Sequence, residues 1–84
     1  MELTVKLYGT LRKYRPNSAG GAPHQPFTIS VPENGTVMDL IHSLAIAEGS
    51  VNAAAVNGDA VESDTLLHGG DVVSLFPPAA GGAR

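Results

Sequence analysis

Apolar and polar residues alternate from the start of this chain. Leu3, Val5 and Leu7 fall on one side of an extended segment, and Glu2, Thr4, Lys6 and Tyr8 on the other. That period of two predicts a strand with one face buried. Alternation resumes at Phe27, Ile29 and Val31, with Thr28 and Ser30 between them, and Pro32 closes the segment. The period then changes. Asn34-Gly35 marks a turn, and Thr36 followed three residues later by Asp39 has the pattern of a capping box, with Asp in place of the usual Glu or Gln. Val37, Leu40, Ile41 and Leu44 recur at helical spacing, so a helix with one apolar stripe is predicted, with Gly49 as its natural stop.

Beyond the helix, Ala53 to Val56 and Ala60 to Glu62 read as two short strands about a tight Asn57-Gly58 turn. Gly69-Gly70 makes another turn, and Asp71 to Phe76 is the last strand. Val73 and Leu75 lie on one of its faces, with Val72, Ser74 and Phe76 on the other. Pro77-Pro78 ends the pairing because neither residue has an N–H to give a ladder. The stretch from Pro16 to Pro26 holds three prolines, two glycines, Asn17 and Ser18, and reads as a mobile loop. The order strand, strand, helix, short strands, strand suits an α+β fold: one mixed sheet of four to five strands with the helix across a single face. Leu3, Val5, Leu7, Phe27, Ile29, Val31, Leu40, Ile41, Leu44, Val73 and Leu75 are the expected core. Residues 1–78 form the expected domain, and residues 79–84 a flexible tail.

Length confines the chain to this one unit, since 84 residues make a single modest core that buries roughly 60% of the unfolded surface. An apolar fraction of 43% with a formal charge of −3 keeps it away from the composition of disordered chains. No apolar run nears the ~20 residues that span a bilayer, and the start shows no signal-peptide pattern. The reading is therefore cytoplasmic, without a membrane.

Charge and residue type exclude several chemistries. Lys6, Arg12, Lys13 and Arg15 are four of the five basic residues, and residues 16–83 carry acids only. Nucleic-acid binding does not fit that balance. There is no cysteine, hence no disulfide, thiolate metal site or cysteine nucleophile. His24, His42 and His68 never stand at the spacing of a helical metal pair, and the carboxylates are scattered, so no metal is expected. No nucleophile elbow or phosphate loop is present.

The chain ends in Val72-Val73-Ser74-Leu75-Phe76-Pro77-Pro78-Ala79-Ala80-Gly81-Gly82, followed by Ala83-Arg84. Together with Leu7-Tyr8-Gly9-Thr10-Leu11-Arg12, Thr36-Val37-Met38-Asp39-Leu40 and Val56-Asn57-Gly58, this ending resembles the β-grasp, ubiquitin-like sulfur carriers of the MoaD/ThiS type, and most of all the small subunits of molybdopterin synthases. The likeness runs through nearly the whole chain in order. It departs in the longer, Gly- and Pro-rich loop from Pro16 to Pro26 and in the two residues after the diglycine.

The resemblance implies a β-grasp fold and a carrier that is a substrate of other enzymes, and a small subunit of a sulfur-transfer enzyme, rather than a catalyst. Gly82, preceded by Gly81, would be the site of adenylation and then of a thiocarboxylate. A separate ubiquitin-activating-like adenylyltransferase would use ATP, and the carrier itself would bind no cofactor. Glycine at both positions lets the backbone thread a narrow channel. The other implied partners are a sulfur acceptor, such as the large subunit of molybdopterin synthase, and a protease that removes Ala83-Arg84. Tyr8, Ala60, Phe76, Pro77 and Pro78 are the expected partner contacts. Molybdopterin synthesis is the first pathway implied. Carriers for thiamine, cysteine or another sulfur-containing metabolite, and a β-grasp interaction module with an idle tail, are the alternatives.

Overall fold

The computed structural model describes residues 1–47 and 49–78. Five strands, β1 (Glu2–Leu7), β2 (Phe27–Ser30), β3 (Ala53–Val56), β4 (Asp59–Val61) and β5 (Val72–Phe76), and one helix, α1 (Val37–Ser43), follow in the predicted order. The sheet order is β2-β1-β5-β3-β4. β1 and β5 pair in parallel, with Val5 opposite Val73 and Leu7 opposite Leu75, and every other pair is antiparallel. The last strand in sequence is thus the middle strand of the sheet. This is the expected mixed sheet, here with five strands, and it is a β-grasp.

Register stacks the apolar positions into rows. Leu7, Leu75, Ala54 and Val61 form one row, and Phe27, Val5, Val73 and Val56 another. Leu3, Val5, Leu40, Val37, Val73 and Leu75 are fully buried between these rows and α1. Of the expected core, only Ile29 stays partly exposed, since β2 is an edge strand and covers the core from one side. Leu11, Val37, Ile46, Ala54 and Leu67 join the core from outside the expected set.

The capping box forms: the Asp39 N–H donates to Thr36 Oγ1 at 3.2 Å, and the Thr36 N–H to the Asp39 carboxylate at 2.9 Å. Two more N–H groups of the first turn are satisfied by the segment after β4, Val37 donating to Thr65 O and Met38 to Ser63 O. The helix stops earlier than predicted. Ala45 takes φ 59°, its N–H donates to His42 O, and the Ile46 N–H donates to Ile41 O. That is a Schellman motif with alanine at the left-handed position usually held by glycine. The turn folds Ile46 back into the core at 3% exposure, which Gly49 as the stop would not achieve.

Three further differences are local. β4 lies one residue earlier than predicted, because Asn57 (φ 53°) and Gly58 (φ 90°) alone make the hairpin turn and Asp59 already pairs with Val56. A 3-10 helix at Gly9–Tyr14 follows β1 and buries Leu11. The loop expected to be mobile contains a second 3-10 turn at Asn17–Ala19 and is tied to Arg15, which donates through Nη1 to Gly20 O and through Nε to Gln25 O at 3.2 Å. Asn57 also does more than turn the chain. Its Oδ1 accepts from the Val72 N–H at 2.9 Å and its Nδ2 donates to Asp71 at 3.0 Å, which fixes where β5 begins.

Candidate functional site

Among the described residues no other element covers the face of the sheet opposite α1, and the alternate residues of the same strands lie on it. Parallel pairing places Lys6 beside Ser74, antiparallel pairing places Ser74 beside Ala55, and Ala55 pairs with Ala60. These four residues make one row across the sheet. The next row joins Tyr8, Phe76 and Ala53, since Phe76 pairs with Ala53 and the Tyr8 N–H donates to Leu75 O at 3.2 Å. The Tyr8 and Phe76 rings stack with centroids 4.6 Å apart and planes 19° from parallel. The geometry is that of a favourable aromatic pair. Tyr8 is 37% exposed, and with Leu66 it is one of the two large apolar side chains most open to solvent among the described residues.

The fold therefore brings Tyr8, Phe76 and Ala60 to one face, two aromatic rings beside a flat field of small side chains. Ala53, Ala55 and Ser74 complete that field and were not singled out from the sequence. Their parity along each strand was legible there; the register that lines them up was not.

At the end of β5 the chain is gripped from both sides. The Asn52 N–H donates to Phe76 O at 2.8 Å on one side, and the bond from Tyr8 to Leu75 lies on the other. Pro77 follows and packs against Gly9, where an added Cβ would come within 3.0 Å of Pro77 Cγ; φ at Gly9 is +56°. Both space and backbone thus favour glycine at position 9. Pro78 is exposed. Gly81 and Gly82, the expected site of chemistry, lie outside the described residues, as do Ala83 and Arg84.

Elsewhere a cleft of about 240 Å³ opens between α1 and the β3–β4 hairpin, lined by Met38, Ile41, Val51, Ala54, Val61 and Glu62 among others. Its lining is largely aliphatic and includes no histidine. Among the described residues no three His, Cys, Asp or Glu side chains stand where they could share a metal ion, and no helix is long and apolar enough to cross a membrane.

The model of the ThiS family matches residues 5–82. No curated protein matches the chain. Among solved structures, SAMP1 from Haloferax volcanii superposes with a TM-score of 0.70 at 22% identity, over 98% of this chain and 100% of that one. A putative molybdopterin converting factor, subunit 1, from Pyrococcus furiosus gives 0.66 at 32% identity, over 92% and 97%. A chain of the complex of subunits 1 and 2 of molybdopterin-converting factor from Helicobacter pylori 26695 gives 0.59 at 27% identity, over 98% and 100%.

Proposed function

Because the chain belongs to the ThiS family of ubiquitin-like sulfur carriers, we infer that it carries sulfur as a thiocarboxylate on Gly82, for molybdopterin synthesis. The observation that carries this reading is the placement of the tail's root. The family match runs through β5 to Gly82, and β5 is the central strand, held by the Asn52 N–H at Phe76 O on one side and by the Tyr8 N–H at Leu75 O on the other, with the Phe76 ring stacked on Tyr8. From Pro78 the four residues to Gly82 span at most about 14 Å when extended. A partner that seats the aromatic face therefore receives the terminus within a bounded reach.

The chemistry follows from the terminal group. A carboxylate is a poor electrophile, so one of its oxygens first attacks the α-phosphorus of ATP on a separate adenylyltransferase, and pyrophosphate leaves. A persulfide sulfur from a donor enzyme then attacks the acyl-adenylate carbonyl and displaces AMP. A thiol reductant cleaves the resulting acyl disulfide and leaves the thiocarboxylate. The chain contributes no catalytic group, and without cysteine it offers no competing thiol. The similarity to the Pyrococcus and Helicobacter proteins favours the molybdopterin pathway, and the subunit 1 and 2 complex suggests the kind of acceptor: a large partner subunit that takes the carrier.

In the 84-residue chain the Gly82 carbonyl is locked in an amide to Ala83, which has no oxygen anion to attack ATP. The chain is therefore a precursor that a protease trims after Gly82. The test compares the full chain, a version ending at Gly82, and that version carrying Gly82→Ala, each incubated with ATP, the adenylyltransferase and a sulfur donor. Mass spectrometry should show sulfur replacing oxygen efficiently only on the version ending at Gly82. Equal loading of the full chain, with its last two residues still attached, would refute the precursor. Failure of the trimmed version to form even an acyl-adenylate would refute the carrier.

A further inference from the structure

Between Glu2 and Glu33 the chain carries no acid, yet Lys6, Arg12, Lys13 and Arg15 all fall there. The fold sends these cations to two places. β1 turns Lys6 to the outer sheet face beside Ser74, whereas Arg12, Lys13 and Arg15 line a groove of about 260 Å³. The loop after the 3-10 helix contributes Asn17, Gly20 and Gly21 to the same groove, and no carboxylate lines it. The acids that bound this segment stand at the far end of the β1–β2 hairpin. There Glu2 is opposite Ser30 and Glu33 pairs with the N-terminal amine at 3.2 Å, while Phe27, which lies under Arg15, pairs with Val5.

The three cations of the groove are not equivalent. Arg15 is fixed: its Nη1 donates to Gly20 O, its Nε to Gln25 O at 3.2 Å, and its guanidinium lies 5.6 Å over the Phe27 ring. A guanidinium has five N–H donors, so the loop does not exhaust it. Nη2 faces Gly21, where an added Cβ would lie 3.5 Å from it. Arg12 and Lys13 are exposed, and neither forms an ion pair with a described acid; Lys13 meets only the Tyr14 ring at 5.3 Å.

Gathering three like charges in one groove costs free energy through their repulsion, which an anion among them relieves. The donors select the kind of anion. A phosphate presents three acceptor oxygens and close to two charges, so it can meet a guanidinium fork and an ammonium at once, where a carboxylate has two oxygens and one charge. Clefts that take drug-sized ligands hold roughly 300–1,000 Å³, so this smaller groove suits a small anion. A polynucleotide would run on past the groove over a chain of net charge −3. We propose that the groove is a binding site for the phosphate group of a small molecule, with Arg15 as its fixed arm and Arg12 and Lys13 closing on the anion. The proposal goes beyond the carrier reading and does not depend on it.

The experiment titrates inorganic phosphate, and separately pyrophosphate, into the 84-residue chain at constant ionic strength and follows the backbone amide resonances by NMR. Both anions should shift Arg12, Lys13, Gly20 and Gly21 saturably, pyrophosphate at lower concentration because it carries more charge. Arg12→Gln with Lys13→Gln should raise the half-saturating concentration about tenfold or more, the effect of losing charged hydrogen bonds. Neither side chain holds the fold, so the melting temperature of that variant should not move. Lys6→Gln, on the sheet face, should leave the half-saturating concentration within about twofold of the unchanged chain. Arg15→Lys keeps the charge but loses the fork and should also weaken binding; the double variant keeps the test decisive if that change releases the loop. Shifts that do not saturate, shifts matched by chloride at the same ionic strength, or an unchanged half-saturating concentration in the double variant would overturn the proposal. Tighter binding of an RNA oligonucleotide or a polyglutamate peptide than of pyrophosphate, through the same residues, would also overturn it.

Discussion

The two faces of this sheet are built from the same strands, one residue apart, and have opposite characters. Toward α1 stand Val5, Leu7, Val73 and Leu75, at most 5% exposed. Away from it stand Lys6, Tyr8, Ser74 and Phe76, all in contact with solvent. The inner face is continuous, apolar and closed by the helix; the outer face is aromatic at one end and small in the middle, with Lys6 beside Ser74. Stability rests on the inner set and the proposed recognition on the outer set, along one shared backbone. A change on one face should leave the property of the other largely intact.

The strongest attempt to break that division uses neighbours on β5. Leu75→Ala removes a fully buried side chain and should cost about 2–5 kcal/mol in chemical denaturation; Leu44→Ala, at the end of the helix stripe, should fall in the same range. Either result within error of zero would mean that the inner face has been assigned wrongly. Tyr8→Ala with Phe76→Ala should instead weaken partner binding by about 2 kcal/mol, roughly 30-fold in affinity, and cost less stability than Leu75→Ala. Unchanged binding by titration calorimetry would remove the outer face from recognition.

Smaller changes sharpen the same contrast. Thr36→Ala deletes one half of the capping box and should lower stability by about 1 kcal/mol with no effect on binding, since Thr36 serves the helix side alone. Ala45→Gly relieves a left-handed alanine and should raise stability by up to about 1 kcal/mol, part of the relief being offset by the freer unfolded chain. A loss of stability there, measured by thermal melting, would show that the Ala45 methyl matters more than its backbone angle.

What could be read from the sequence was local. The alternation of β1, the capping box at Thr36 and Asp39, the Asn57-Gly58 turn and the stop at Pro77-Pro78 each depend on residues within a few positions of one another. The aromatic end of the outer face was legible for the same reason, because parity along a strand is a property of that strand. The Gly-Gly ending reads as a motif, and the chemistry proposed for it depends on covalent structure rather than on packing.

Tertiary structure decided the remainder, because a strand's own pattern does not name its partner. β1 and β5 are adjacent only through a parallel register between residues 4–7 and 72–75, and a slip of one residue would turn every side chain to the wrong face. That register puts Tyr8 on Phe76, and the antiparallel registers beyond β5 align Ser74 with Ala55 and Ala60. The early helix stop was hidden because alanine does not advertise a left-handed angle; the burial of Ile46 accompanies it. Leu11 was missed because a 3-10 turn has neither the period of two nor that of 3.6. Arg15 was grouped with its basic neighbours because sequence records charge, while only the folded chain shows that it is used internally, on the carbonyls of Gly20 and Gln25 and the ring of Phe27.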